Sequence, residues 1–148
     1  EVNVVNAMKA SNAIIGGEGN GGIIYPESHY GRDALVGVAL FLSLLAERKI
    51  AVSTLRSSYP SYFMSKKKID LNPTIDVDAI LMAMEAKYSQ EQISIIDGVK
   101  IDFPTEWVHL RKSNTEPIIR IYTEGPTQWA ADELADKIIN EIKEVAGL

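Results

Sequence analysis

The sequence contains no cysteine, which excludes disulfide bridges, thiolate metal sites and cysteine nucleophiles and fits a cytoplasmic protein. Its two histidines, His29 and His109, lack metal-ligand spacing, so we predict no metal site within the chain. No apolar run reaches the length of about 18 residues that spans a bilayer. Basic residues are also few, since 15 Lys and Arg stand against 20 Asp and Glu, for a net charge of −5. We therefore expect neither nucleic acid nor a membrane as a partner.

What the sequence does contain is 148 residues of ordinary globular composition, 46% hydrophobic and 24% charged, enough for a buried core. Residues 1–50 are apolar and interrupted by glycines, whereas residues 61–148 alternate strand-like and amphipathic helical patterns. We interpret residues 51–60, which are polar and end in a proline, as a hinge or linker. Because the chain begins with Glu1 and not Met, we also interpret it as a fragment of something longer.

The first region predicts a short helix over residues 2–10 and two strands, over residues 13–15 and 22–25, that form a hairpin around a glycine loop. A second helix is predicted to begin after Asp33 and to end near Glu47. Apolar residues cover nearly the whole circumference of this helix, so it requires packing neighbours on more than one side.

The second region predicts a mainly antiparallel sheet with two helices packed on one face, which is an α+β fold. Strands are expected at residues 62–71, 93–96, 99–103, 107–110 and 118–122. Asp76 and Thr127 are predicted to cap the two helices, and Gly147 to end the second. Asp97-Gly98 predicts a two-residue hairpin turn, and the two tryptophans, at positions 107 and 129, are expected in the core.

The first candidate site is the glycine loop, GGEGNGG at residues 16–22. It matches GxGxxG, but a strand-like segment follows where a dinucleotide site requires a helix, and no Gly-Lys-Ser/Thr of a Walker loop occurs. A central carboxylate repels anions. The Glu18 carboxylate and the Asn20 amide suit the hydroxyls of a sugar instead. The alternative is a flexible glycine turn whose side chains are solvated.

The second candidate site is RKSNTEP at residues 111–117, which joins two predicted strands. Guanidinium groups and short hydroxyl donors are natural phosphate ligands, and the candidates are Arg111, Ser113, Asn114, Thr115 and Arg120. Strand alternation places Arg120 and Tyr122 on one face of their strand. The alternative is a polar hairpin with a surface ion pair, which typically contributes less than about 1 kcal/mol.

With these two loops, GRDA at residues 31–34 and DGVK at residues 97–100, the chain resembles the C-terminal part of an α-D-phosphohexomutase. The resemblance implies that residues 1–50 are the closing part of a third, α/β domain and that residues 61–148 are a fourth, phosphate-binding domain. It also implies an isomerase that interconverts hexose 1-phosphate and hexose 6-phosphate through a phosphoserine and a bisphosphorylated sugar, with Mg²⁺ held by aspartates. The serine and the metal belong to other domains. This fragment is therefore expected to hold no catalytic residue and to be inactive alone.

By the same resemblance, Glu18 and Asn20 match the loop that binds sugar hydroxyls. The loop that holds the non-transferred phosphate is matched by Arg111, Ser113, Asn114 and Thr115, and Arg120 joins them by position. The implied partners are a hexose phosphate, a hexose bisphosphate activator and the missing N-terminal domains, and self-association through residues 35–46 is a further expectation. Two alternatives stay open: a stand-alone sugar-phosphate-binding or regulatory module, and a plain α+β interaction domain. Nothing in the sequence selects glucose, mannose or glucosamine.

Overall fold

The computed structural model describes residues 2–72, 75–113 and 115–147. The candidate site residue Asn114 lies outside the described residues. The backbone divides into two compact units, Glu1–Pro60 and Ser61–Leu148. Within the described residues, no helix combines the length and the apolar character that a membrane crossing requires.

The first unit contains a three-stranded antiparallel sheet and three helices. Its elements are α1 (Val2–Ser11), β1 (Gly16–Gly17), β2 (Ile23–Tyr25), β3 (His29–Arg32), α2 (Ala34–Arg48) and α3 (Val52–Ser57). The strand order is β1-β2-β3. Strand β1 pairs with β2 across the glycine loop, so a hairpin forms where the sequence predicts one, but its first strand is not the predicted one.

Helix α2 begins where the sequence predicts, because Asp33 caps it. The Asp33 carboxylate accepts hydrogen bonds, both 3.0 Å long, from the backbone N–H groups of Leu35 and Val36. The helix ends at Lys49, which adopts a left-handed conformation with φ of 51°. No residue of α2 is buried, and Leu35 is 82% exposed. The neighbours that its apolar faces require are therefore not supplied by the described residues.

The strand predicted over residues 13–15 is wrong. Strand β1 consists of Gly16 and Gly17, which pair with Ile24 and Ile23, while Ile14 is 81% exposed. The apolar run suggested the strand, but a ladder forms only where a partner strand lies, and β2 lies opposite the glycines. Residues 51–60 contain the helix α3, so part of the segment interpreted as a linker is ordered. The interpretation of the segment as a hinge stays a prediction.

The second unit confirms the predicted α+β architecture. Its elements are β4 (Phe63–Asp70), α4 (Val77–Lys87), β5 (Gln92–Ser94), β6 (Val99–Asp102), β7 (Trp107–Lys112), β8 (Ile118–Gly125) and α5 (Gln128–Ala146). The five strands are antiparallel in the order β4-β8-β7-β6-β5. One face of the sheet packs against α4 and α5 through fully buried aliphatic side chains, including Ile101, Leu110, Ile119, Ile121, Ile138 and Ile142.

The predicted caps of the two helices are confirmed. The Asp76 carboxylate accepts from two backbone N–H groups at the start of α4, and the Thr127 hydroxyl accepts from Ala130 N–H at the start of α5. Gly147 ends α5 with φ of 69°, a conformation that favours glycine. The two helices are joined by the Tyr88 hydroxyl, which donates a 2.8 Å hydrogen bond to Glu141.

Two local predictions for this unit are wrong. Asp97-Gly98 does not form a two-residue hairpin, because the last ladder pair is Ser94 with Lys100 and five residues lie between them. Trp129 is 72% exposed on α5, so it is not a core residue. Trp107 is half-buried, and its indole N–H donates to Glu124 at 3.1 Å.

Candidate functional site

The loop between β7 and β8 is a hairpin held by its own backbone. Ser113 N–H donates to the Ile118 carbonyl at 3.0 Å, and Ile118 N–H donates to the Glu116 carbonyl at 2.8 Å. The Ser113 and Thr115 hydroxyl oxygens lie 3.3 Å apart, and Thr115 N–H also donates to the Ser113 hydroxyl. Two hydroxyls and a backbone donor thus converge at one end of the sheet.

Two arginines flank this loop from neighbouring strands. Arg111 on β7 and Arg120 on β8 are direct partners in the antiparallel register, and both are exposed. They share a cavity of about 200 Å³ with Ser113 and Thr115. The structure therefore brings together every described residue that the sequence predicted as a phosphate ligand. Guanidinium forks beside hydroxyl donors suit a phosphate, whose oxygens accept several charge-assisted hydrogen bonds.

Acidic residues outside the loop hold its cations in place. The Arg111 guanidinium lies 2.9 Å from the Asp97 carboxylate, and the Lys112 ammonium lies 2.7 Å from Asp78. Sequence analysis missed both carboxylates, because Asp97 was interpreted only as a turn residue and Asp78 belongs to a helix far away in the chain. Both pairs are exposed, so each contributes less than about 1 kcal/mol and yields readily to a ligand.

The glycine loop is a tight turn between β1 and β2. Glu18 N–H donates to the Gly22 carbonyl, and Gly21, with φ of 88°, donates to the Glu18 carbonyl, both at 3.0 Å. The Asn20 side-chain oxygen accepts from Gly22 N–H at 2.9 Å, which turns its amide nitrogen outward as a donor. Strand β2 follows the loop, where the sequence predicts a strand.

Arg32 packs on the back of this loop, a contact that sequence analysis missed. A Cβ atom built on Gly22 would lie 2.8 Å from the Arg32 Cδ, so a larger residue at this position would displace the arginine side chain. Glu18 is half-buried, with one carboxylate oxygen shielded from solvent. The loop therefore holds a carboxylate and an amide on a fixed backbone, a pattern that suits hydroxyl groups.

A second polar contact fixes the turn that leads into α2. The His29 Nδ1 accepts from Gly31 N–H at 2.9 Å, and its Nε2 lies 3.3 Å from the Asp33 carboxylate. The pKa of Asp33 is lowered, first because the carboxylate accepts the Val36 N–H and also because of His29. This arrangement serves the helix cap and gives His29 a structural role.

Two family models match the chain, one for each unit. Residues 1–62 match "Phosphoglucomutase/phosphomannomutase, alpha/beta/alpha domain III", and residues 66–141 match "Phosphoglucomutase/phosphomannomutase, C-terminal domain". The chain belongs to the phosphoglucomutase/phosphomannomutase family. The resemblance inferred from the two loops is thereby confirmed, including its assignment to the C-terminal part of a phosphohexomutase.

Relatives in this family are mutases from several organisms. The chain is 38% identical over 97% of its length to a phosphoglucosamine/phosphogalactosamine mutase of Sulfurisphaera tokodaii. It is 33% identical over 95% of its length to a phosphoglucomutase/phosphomannomutase of Thermococcus kodakarensis. In both cases it covers 31% of the relative, so the chain spans about a third of the length of the curated relatives it matches.

A solved structure of the phosphoglucomutase/phosphomannomutase family shows the same fold. A family protein from Burkholderia thailandensis matches 96% of this chain, and 30% of its own length, with a TM-score of 0.72 at 23% identity. At this identity the likeness concerns the fold alone.

Proposed function

We propose that this chain is the substrate-binding C-terminal part of a phosphohexomutase that interconverts hexose 1-phosphate and hexose 6-phosphate. The observation that carries the proposal is the convergence of Arg111, Arg120 and the hydroxyls of Ser113 and Thr115 around one cavity. We assign these residues, together with Asn114, to the phosphate that is not transferred. Family membership supports a mutase, and the covered third of its relatives supports a substrate-binding part of a larger enzyme.

We assign the sugar hydroxyls to the glycine loop. The Glu18 carboxylate accepts hydrogen bonds from hydroxyl groups, and the Asn20 amide nitrogen donates to them. Phosphoryl transfer depends mainly on positioning and on charge stabilisation. In this proposal the chain supplies the positioning, while a phosphoserine and a bisphosphorylated sugar intermediate carry the phosphoryl group.

The metal stays a prediction from the resemblance. The implied Mg²⁺ requires aspartates, and within residues 2–72, 75–113 and 115–147 no group of three His, Asp or Glu side chains is arranged to hold a metal. No described residue of this chain is therefore assigned as a ligand of the metal. A hexose bisphosphate activator is proposed on the same ground, and a cytoplasmic location is proposed because the sequence contains no cysteine.

The proposal is tested by titrating the ¹⁵N-labelled chain with glucose 1-phosphate while amide chemical shifts are recorded. We expect the amides of residues 111–117 to shift, and Arg111→Ala to weaken binding by about 1.5–3 kcal/mol, the scale of a hydrogen bond to a charged group. Arg48→Ala, which removes the same charge from α2, is the control and should leave binding unchanged. Shifts spread evenly over the surface, with none in the loop, would contradict the phosphate assignment.

A stand-alone binding or regulatory module is the rival. The coding sequence upstream of Glu1 separates the two functions. An upstream serine loop and an aspartate-rich metal loop would support the enzyme, whereas an open reading frame that starts near Glu1 would support the module.

A further inference from the structure

Among the described residues of the second unit, no helix packs on one of the two faces of the sheet, which we call the open face. Basic residues on this face form a line across three strands. Lys68 on β4 pairs with Arg120 on β8, which pairs in turn with Arg111 on β7. All three are exposed, whereas Ile69 and Ile119, which neighbour Lys68 and Arg120, are buried under the helices. The line therefore lies on the open face.

Three cations in adjacent register positions repel one another, because directly opposed side chains in a sheet are only about 5 Å apart at Cβ. The two residues at the ends of the line form ion pairs with carboxylates, Lys68 with Asp70 at 3.0 Å and Arg111 with Asp97 at 2.9 Å. Within the described residues, the guanidinium in the middle, that of Arg120, has no carboxylate within 4.0 Å. Of the three charges in the line, only that of Arg120 has no ion-pair partner among the described residues.

A concave surface lies next to the Arg120 guanidinium. The lining of a cavity of about 370 Å³ includes Lys66, Lys67, Lys68, Arg120 and Tyr122, with Glu116 as its acidic member. The Lys66 ammonium lies 5.7 Å from the centre of the Tyr122 ring, which holds its charge on the open face. The pKa of Lys68 is raised, first by its hydrogen bond to Asp70 and also by Glu116, so this ammonium stays charged at neutral pH.

We propose that Lys66, Lys68 and Arg120 form a second anion subsite, which binds a phosphate group. The subsite lies on the open face of the sheet, beside the loop at residues 111–117. Arg120 lines both cavities and so connects the two subsites. The second subsite rests on the proposed function only through this shared arginine. The phosphate comes either from the same ligand that fills the loop or from a separate molecule.

Lysine 67 provides a matched control within the same strand. Lys67 also lines the cavity, but its ammonium lies on the helix-covered face, 2.6 Å from Asp136 of α5. Lys67→Gln and Lys68→Gln thus remove the same charge one residue apart, but only Lys68→Gln removes it from the open face. Thermal unfolding of both variants should show that the fold is kept, because exposed ion pairs contribute little to stability.

The experiment titrates the ¹⁵N-labelled full chain with inorganic phosphate at constant ionic strength. We expect shifts at residues 66, 68 and 120 in addition to the loop, and an at least threefold weaker affinity at those positions in Lys68→Gln. In Lys67→Gln the affinity should change less than twofold. Shifts confined to residues 111–117, or equal losses in the two variants, would overturn the second subsite. Shifts at residues 66, 68 and 120 without any in the loop would instead contradict the proposed function and keep the subsite.

A second titration with a hexose bisphosphate identifies the source of the phosphate. If one ligand spans both subsites, their amides saturate together, at least tenfold more tightly than with inorganic phosphate, because the second contact becomes intramolecular. If two molecules bind, the two sets of amides saturate at separate concentrations. A bisphosphate that shifts only the loop would again exclude the second subsite.

Discussion

Arg111 and Arg120 face each other across β7 and β8, as direct partners in the antiparallel ladder. Like charges in this position destabilise a sheet, so the ligand-free protein carries an electrostatic cost at the place where we assign phosphate. An anion bound between the two side chains removes that cost. The pair that we assign to phosphate binding therefore lowers the stability of the ligand-free protein.

Arg120→Gln should stabilise the ligand-free chain, because it removes the charge opposite Arg111. The expected gain is about 0.2–1 kcal/mol in the free energy of unfolding at low salt, and it should shrink as salt screens the repulsion. Urea denaturation at two salt concentrations measures it, with Arg48→Gln as the control. A loss of stability in Arg120→Gln at low salt would show that this side chain is held by contacts that outweigh the repulsion.

Tyr88→Phe should destabilise the second unit by about 1 kcal/mol, because the hydroxyl donates to Glu141 and links α4 to α5. The pKa of Tyr88 is raised, first by burial and then by Glu141. The folded state therefore retains the phenol proton more strongly, and this contribution to stability is complete below pH 10 and lost as the pH rises further. Chemical denaturation between pH 7 and 11 tests this. Tyr62→Phe is the control, since Tyr62 is exposed, and an identical pH profile for both variants would refute the role.

Asp33→Ala should loosen α2 by removing its N-cap. Because the pKa of Asp33 is lowered in the folded chain, its charge stabilises the helix above the unfolded pKa, and that stability is lost as the pH falls through the folded pKa. Asp33→Asn keeps a capping oxygen and should abolish this pH dependence. Hydrogen exchange of residues 35–48 reports the effect, and Asp76→Ala, which removes the cap of α4 instead, should leave those amides unchanged.

The chain alone should show no mutase turnover, because its described residues supply binding groups and the resemblance places the phosphoserine elsewhere. The assay incubates the purified chain with glucose 1-phosphate, Mg²⁺ and a hexose bisphosphate. Glucose 6-phosphate above the blank would mean that the chain carries its own phosphoryl acceptor.

Helix α2 should make the chain self-associate or should leave the first unit loosely ordered. Leu35, Val38, Phe41 and Leu42 are between 42% and 82% exposed, and each fully exposed side chain of this size forgoes roughly 1.5–3 kcal/mol of burial. Light scattering combined with hydrogen exchange distinguishes the two results. A monomer at high concentration whose residues 35–46 are as protected as residues 131–145 would exclude both.

Features that depend on neighbouring residues in the chain could be predicted from the sequence. The caps at Asp76 and Thr127 are examples, since each side chain accepts hydrogen bonds from the first turn of its own helix. The helix-covered face of the sheet could also be predicted, because alternation along β8 places Ile119 and Ile121 on one face and Arg120 on the other.

Features that depend on register could not be predicted. Alternation gives the face on which Arg120 lies, but not that Arg111 lies beside it, because the length and shape of the loop set that pairing. Ile95 and Ile96 suggested a longer strand, yet they are 64% and 77% exposed, and the ladder between β5 and β6 ends at the pair Ser94–Lys100. Trp129 shows that a single apolar residue on a helix carries no information about burial.

The pairing of β4 with β8 has a consequence for the synthesis of the protein. Strand β4 is made first in the second unit, but its partner β8 is the last strand. At about 5–20 residues per second, a gap of about 50 residues leaves β4 without its partner for roughly 3–10 s. An unpaired strand invites aggregation with other chains, and lysines prevent such contacts. We therefore expect the run Lys66-Lys67-Lys68 in the middle of β4 to disfavour such contacts of the nascent chain until β8 has left the ribosome.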